Sequence, residues 1–443
     1  MRRIDNSSLA AFRVLFGALM LFSTLRFMLK GWVYDFYIKP AAFFPFEGFS
    51  WIHPWPEWGM YLHFALLALF ALLVTLGLYY RVAILGFFLG FTFVELIDKT
   101  NYLNHYYFIS ILSFLMIFLP LHRRFSLDVL RKPGLYLDRC HPWPLWVLRL
   151  QVGLVYFFAG VAKLNSDWLF EAQPLKIWLA GRTDFPILGP LFAYPETAYV
   201  MSWLGMIFDL TAPFLLSCRR SRPWMYSAVV VFHLLTYRLF NIGVFPWVMI
   251  FAALIFFPPD WPQKLAARLH LQFPVRHRVS ASPANSGGRP GKVLVGVLVV
   301  FFLVQLFLPL RHWFYPGSVL WSEEGFRFSW RVMLMEKSGS VDFLVHDPRT
   351  GRDWVEVPRK YYESLQVKQM STQPDMILQA AHHIRDEFAR AGIPGVEVRA
   401  QSKVSLNGRI GQALIDPGVD LARVQWTWKP AEYIPALKDS PFP

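Results

Sequence analysis

Apolar residues run through this chain in nine long blocks, broken by short polar or proline-rich joints. The blocks are Leu9–Leu29, Gly59–Tyr79, Val82–Ile97, His105–Leu121, Leu145–Asn165, Thr197–Ser217, Pro223–Leu239, Ile242–Phe257 and Val293–Leu310. Most approach the about 20 residues that an α-helix needs to cross a bilayer. The third and eighth are shorter, which predicts tilt or partial re-entry. After Leu310 the pattern changes to short alternating runs. RFSWRVMLMEK, SVDFLVHD and DWVEVPRK predict three strands, with turns at Ser338–Gly339 and Arg349–Thr350–Gly351. Asp375–Ala391 carries apolar residues at helical spacing. VEVRAQSKVSL and RIGQALID flank Asn407–Gly408, a strong hairpin pattern. The predicted fold is a polytopic α-helical membrane protein of about nine transmembrane helices (residues 1–310) with a small C-terminal α+β soluble domain (311–443).

Composition agrees. The chain is 55% hydrophobic and 18% aromatic, with only 17% charged residues, against about 25% charged in a soluble domain. The net charge of +14 is then a matter of location. Arg2 and Arg3, Arg81, the run Arg123 to Arg139, Arg219 to Arg222, and Lys264 to Lys292 occupy alternate joints. The joints between them are mixed in sign. The positive-inside rule places the N-terminus in the cytoplasm and the C-terminal domain outside. No zinc-finger spacing or basic aromatic stretch points to nucleic acid. Cys140 and Cys218 lie in no CxxC pair, so no redox or zinc motif is present and no metal is expected. The first block is too long for a cleaved signal and reads as a retained span. Gly31–Trp58 contains Pro40, Pro45, Pro54 and Pro56, which forbid a long helix; Trp51, Trp55 and Trp58 suit an interfacial lid. Arg276–Gly291 reads as a flexible inside linker.

Candidate chemistry gathers at one depth. Lys163 sits at the outer end of the fifth span in AGVAKLNSDW, followed by Asn165, Asp167 and Trp168. Asp98, Lys99, Asn101, Asn104 and His105 mark the outer junction of spans three and four, and His233, Arg238 and Asn241 the outer part of span seven. A lone lysine near a helix end is more often a snorkelling anchor, but three polar groups on the side of the soluble domain favour a site. Each residue has a plainer alternative. His233 can be a bonded core histidine, His105 an interface histidine and Asp98 a partner for Lys99. Trp330 can be strand core, and Asp209 is a lone acid in span six that needs a partner. Burial disfavours the charged form of an amine, so a buried lysine can serve as a base near neutral pH, or in Schiff-base chemistry. An apolar, aromatic-rich membrane pocket suits an isoprenoid quinone or another lipid. No nucleotide loop, HExxH, GxSxG or metal-ligand cluster competes with that assignment.

At these residues the sequence resembles the vitamin K-dependent γ-glutamyl carboxylase family, within the group sharing its horizontally transferred transmembrane domain. DKTNYLNHY (Asp98–Tyr106), AGVAKLNSDW (Ala159–Trp168), FHLLTYRLFNIGVF (Phe232–Phe245) and GFRFSWRVMLM (Gly325–Met335), with VHDPRTG and IDPGVDLARVQWTW downstream, carry the resemblance. It implies an enzyme that epoxidises reduced vitamin K (phylloquinol or menaquinol) with O2. The strong base so formed removes a γ-proton from a peptide glutamate, which takes up CO2. The family's catalytic base falls on Lys163 and its supporting histidine on His105. Asp98, Asn104, Asn165, Asp167, His233, Asn241 and Trp330 are the expected quinone-binding residues. The implied partners are the lipid bilayer, an isoprenoid hydroquinone and a glutamate-containing peptide or protein. The expected location is a bacterial inner membrane. Phe326 stands where the family has tyrosine, and Met335 and Lys337 where it has histidine and arginine. The quinone half-reaction therefore looks better preserved than carboxylation. Animal carboxylases carry further domains for a substrate propeptide, so exosite recognition is not expected. The alternatives are a quinol oxygenase uncoupled from carboxylation and a non-catalytic quinone- or lipid-binding membrane protein.

Overall fold

A computed structural model describes residues 3–240, 242–270 and 289–438. Each of the nine apolar blocks carries a helix. Six helices are long and apolar enough to cross a membrane: α1 (Ser7–Leu29), α2 (Glu57–Leu76), α3 (Tyr80–Ile97), α5 (Trp143–Ala162), α6 (Pro195–Ser217) and α9 (Lys292–Leu310). Between them lie α4 (Asn104–Phe118), shorter at 15 residues, and α7 (Arg222–Phe240), which carries Arg222 and Arg238. The eighth block forms α8 (Phe245–Ala253) and one tighter turn to Phe256. Pro258 and Pro259 then break it, and the chain bends by 100° into the helix Trp261–Arg268. Six helices thus meet the requirement for crossing, or seven if that bent pair is one span. Asn241 and most of the expected linker, residues 276–288, lie outside the described residues.

Buried polar groups are satisfied where helices end. The fully buried Arg13 guanidinium donates to the carbonyls of Val74 at 2.6 Å, Thr75 at 2.7 Å and Leu121 at 3.2 Å. It thereby closes the last turn of α2, whose carbonyls have no partner within the helix. Gly77 ends that helix with φ +63, and a Cβ there would lie 2.5 Å from the Arg13 guanidinium. The Asp128 carboxylate accepts from the amides of Tyr79 and Tyr80 and starts α3. Near the N-terminus, β1 (Ile4–Asp5) pairs with β2 (Arg139–Cys140).

Small residues bring α5 and α6 together. A Cβ on Gly160 would lie 2.7 Å from the Leu210 backbone nitrogen, and one on Gly153 would lie 3.3 Å from Pro213. At Gly160 only glycine permits such an approach, the usual device of close helix contacts in lipid.

The C-terminal part is a three-stranded antiparallel sheet in the order β4 (Arg352–Glu356), β3 (Lys337–Asp347), β5 (Glu397–Leu406). The helices α10 (Ser364–Met370) and α11 (Pro374–Arg390) accompany it. The apolar face of α11, including Ile377, Ala381 and Ile384, is buried. The Arg349–Thr350–Gly351 turn forms as expected, with the Gly351 amide donating to the Asp347 carbonyl. Asn407 and Gly408 both have positive φ in a tight turn. The return strand after it is only a single bridge, Val404 to Gln412.

Two expectations fail. RFSWRVMLMEK is not a strand: β3 begins at Lys337, and Phe328, Trp330 and Met333 adopt left-handed backbone. Phe328 and Trp330 are pegs driven into the helical part, both against Tyr107 and Trp330 also against Phe108, while Leu334 joins the hydrophobic cluster of the sheet. Nor is Ser338–Gly339 a turn. It lies within β3, opposite Ser405 and Val404, where a Cβ on Gly339 would lie 2.7 Å from the Lys403 carbonyl oxygen.

One hydrophobic cluster fills the helical bundle. A second runs from Ala162 at the end of α5, Trp168 just beyond it and Met206 on α6 into the sheet and α11 (Phe343, Val398, Ile384). The proline-rich loop contributes Phe44 to the second cluster, and its backbone accepts from Gln366 and Gln379 on α10 and α11. Trp55 stacks on Phe93, while Trp51 and Trp58 remain exposed.

Candidate active site

Where α5 stops, Lys163 is its capping residue, and the glycine-mediated approach of α6 places Asp209 beside it. The Lys163 ammonium Nζ donates to Asp209 Oδ2 at 2.7 Å and to the Ala159 carbonyl at 3.2 Å. Both side chains are buried. Nζ also lies 5.2 Å from the centre of the Trp168 ring, a cation–π contact. Trp168 is fixed in turn by its indole N–H, which donates to the Ser202 carbonyl at 2.8 Å. The partner that Asp209 needs is therefore Lys163.

The pair opens on a narrow cavity of about 90 Å³. Its wall is mostly apolar and aromatic: Trp178, Met201, Phe232, Phe240, Phe245 and Met249 from the helical part, with Val332 and Met333 from the pegged loop. Tyr156 and His233 also line it, with 3.0 Å between the hydroxyl and Nε2.

The expected site residues divide into two sets. Lys163 and His233 line the cavity. His105 opens α4 and packs against Phe245, whose ring also touches His233. Among the described residues no hydrogen bond joins His105 to Lys163; the bonds of Lys163 go to Asp209 and Ala159. Trp330 lies two residues before the lining residue Val332, in the bundle core. The other expected residues hold loops and the C-terminal part in place. Asp98 accepts from the Thr100 amide and from Gln366 on α10, each at 2.9 Å, rather than pairing with Lys99. Asn104 donates to the Arg331 carbonyl at 3.1 Å. Asn165 caps the turn Ser166–Leu169 by accepting from the Trp168 amide. Asp167 is gripped by the Asn407–Gly408 turn: Arg409 donates to both carboxylate oxygens at 2.7 Å, and Asn407 donates to one, also at 2.7 Å. Sequence reasoning missed Tyr156, Trp178, Val332 and Met333 as lining residues.

The charges outside the spans are set by these contacts. Burial alone would raise the Asp167 carboxyl, but the bonds from Arg409 and Asn407 outweigh it and hold the group below its ordinary range. Asp375, at the start of α11, is partly buried, which alone would raise it, yet it is held well below that range by Arg327 and Lys99. Lys99 donates to it at 2.9 Å and Arg327 at 2.7 Å. Lys337, in the position where a family arginine is expected, is buried. Its ammonium donates to Glu323 at 2.8 Å and to the carbonyls of Trp321 and Thr372.

Residues 1–261 match the family model of the HTTM domain, and residues 290–440 match that of the vitamin K-dependent gamma-carboxylase lumenal domain. No solved structure matches the chain.

Proposed function

The chain belongs to the vitamin K-dependent gamma-carboxylase family, and from that premise we propose that it oxygenates a reduced vitamin K with O2 in the cavity beside Lys163 and couples this to the addition of CO2 to a peptide glutamate. The observation that carries the reading is the buried Lys163–Asp209 pair at the edge of an aromatic cavity. An apolar wall with few polar groups is the kind of lining a naphthoquinol ring needs, and at about 90 Å³ the cavity must widen to admit the ring and its isoprenoid tail. When bound, the quinol supplies, on oxygenation, the strong base that the carboxylation needs. The pair holds one proton at rest; when that proton passes from Lys163 to Asp209 across the 2.7 Å contact, Nζ takes the quinol hydroxyl proton on the freed lone pair, and the ammonium so formed keeps its bond to Asp209. His105 acts through Phe245 and the cavity wall rather than by a bond to Lys163.

In this reading the bundle (residues 1–310) holds the quinol, and residues 311–443 present the second substrate from the outer, extracytoplasmic face. The alternation of basic joints supports an N-terminus in the cytoplasm and a bacterial inner-membrane location.

A second reading, oxygenation without carboxylation, is favoured by Lys337. Its ammonium is fully engaged by Glu323 and two carbonyls, leaving it poorly placed to receive a substrate carboxylate. One assay decides. Purified protein in nanodiscs receives reduced vitamin K, O2, labelled CO2 and a glutamate peptide. Coupled activity gives epoxide and labelled peptide. Epoxide without label rejects carboxylation and keeps the oxygenase; neither product rejects both.

A further inference from the structure

The cavity contains a second polar pair, which the deprotonation step leaves unused. Tyr156 on α5 and His233 on α7 are both 2% exposed, and their hydroxyl and Nε2 lie 3.0 Å apart. His233 Nδ1 has no hydrogen-bond partner among the described residues. Its ring is held by Phe232, Phe245 and Phe208. A buried polar atom left unpaired is costly and calls for an explanation.

The tautomers narrow that explanation. If Tyr156 donates to Nε2, Nδ1 carries the proton and is a donor without an acceptor. If Nε2–H donates to Tyr156, the phenol O–H is the donor without an acceptor and Nδ1 is a vacant acceptor. Either way one donor on a cavity-lining residue is unused. The other polar groups in the wall are committed elsewhere. The Trp168 indole donates to Ser202, the Trp178 indole to Glu336 at 2.7 Å, and the Thr236 hydroxyl to the His233 carbonyl. Lys163 and Asp209 bind each other. Apart from that ion pair, Tyr156 and His233 are what the wall offers to a ligand oxygen.

We infer that Tyr156 and His233 form an anchor for the second oxygen of a 1,4-dioxygenated aromatic ring, so that the first is the one presented to Lys163. The inference rests on the reading of the cavity as a quinol site. The anchor selects rings with two para oxygens over rings with one, and it fixes which hydroxyl loses its proton.

The test is binding of two probes by calorimetry in nanodiscs under argon: 2-methyl-1,4-naphthalenediol and 2-methyl-1-naphthol, which differ by one hydroxyl. Wild-type protein should bind the diol at least fivefold more tightly. The Tyr156→Phe/His233→Leu variant should bind the two within twofold of each other, with naphthol affinity close to wild type. Tyr156→Phe alone removes one atom and keeps the ring packing. It guards against a double variant that fails to fold, and it should lower the preference at least twofold. An unchanged preference in Tyr156→Phe, or in a double variant that still binds naphthol, overturns the anchor while leaving the quinol site standing. If wild-type protein binds neither probe, the quinol site falls and the anchor with it.

Discussion

Arg409→Ala tests how the C-terminal part holds the lysine. In the wild type two guanidinium bonds of 2.7 Å and one from Asn407 satisfy a largely buried carboxylate, Asp167, four residues beyond Lys163. The substitution leaves Asp167 with Asn407 alone. Removing one partner of a buried ion pair typically costs about 3–5 kcal/mol, because the other charge stays buried and uncompensated. The next residue, Trp168, is the one that packs on the Lys163 ammonium, so a loosened Asp167 also loosens the base. Unfolding free energies from SDS titration in mixed micelles should show a loss of that size for Arg409→Ala. Asp167→Asn/Arg409→Ala should lose less than the sum of the single variants, with a coupling of about 1–3 kcal/mol. Epoxide formation should fall in parallel. The pH dependence has a definite sign. The folded-state value of Asp167 is depressed, so its contribution is complete above the unfolded value of about 3.9 and is lost as pH falls through the lower folded value. The gap between wild type and Arg409→Ala should therefore close in acid. Strict additivity, or a gap independent of pH, would refute the clamp.

Other consequences follow from single contacts. Gly160→Val places a side chain 2.7 Å from the Leu210 backbone; α5 and α6 should separate, the Lys163–Asp209 bond should break, and oxygenation should fall at least tenfold with the protein still in the membrane fraction. Trp330→Ala empties a fully buried site against Tyr107 and Phe108. It should cost about 3–5 kcal/mol in SDS titration, where a surface strand residue would cost little. Asp375→Asn removes the negative charge shared by Lys99 and Arg327. Limited proteolysis should then release the C-terminal part faster, and an unchanged rate would show that these bonds do not hold it.

The helical blocks were legible because lipid demands long apolar runs whatever surrounds them. The Asn407–Gly408 turn was legible because only certain residues accept two positive φ angles. Arg327–Lys337 was misread because alternation records which side chains are buried, not what buries them. Phe328 and Trp330 alternate as pegs into a bundle rather than across a sheet, and Met333 reaches the cavity wall out of that phase. The candidate site was legible at Lys163, whose charge is out of place in an apolar run. Its partner was visible only as an unpaired acid, since residues 163 and 209 meet through a helix crossing that sequence spacing does not encode. Asp98, Asn104, Asn165 and Asp167 share the right depth, but depth alone does not separate residues that line a cavity from residues that hold its walls. Tyr156, an aromatic among aromatics, carried no distinguishing pattern.

The central claim is that the Lys163–Asp209 pair takes the quinol proton. The most direct measurement is epoxide formation by Lys163→Ala in nanodiscs, alongside calorimetric binding of the naphthalenediol to the same sample. The account predicts that binding stays within about tenfold of wild type while the rate drops by about 10²–10⁴-fold, the usual share of general base catalysis. A Lys163→Ala protein that binds the diol and forms epoxide at the wild-type rate would contradict it.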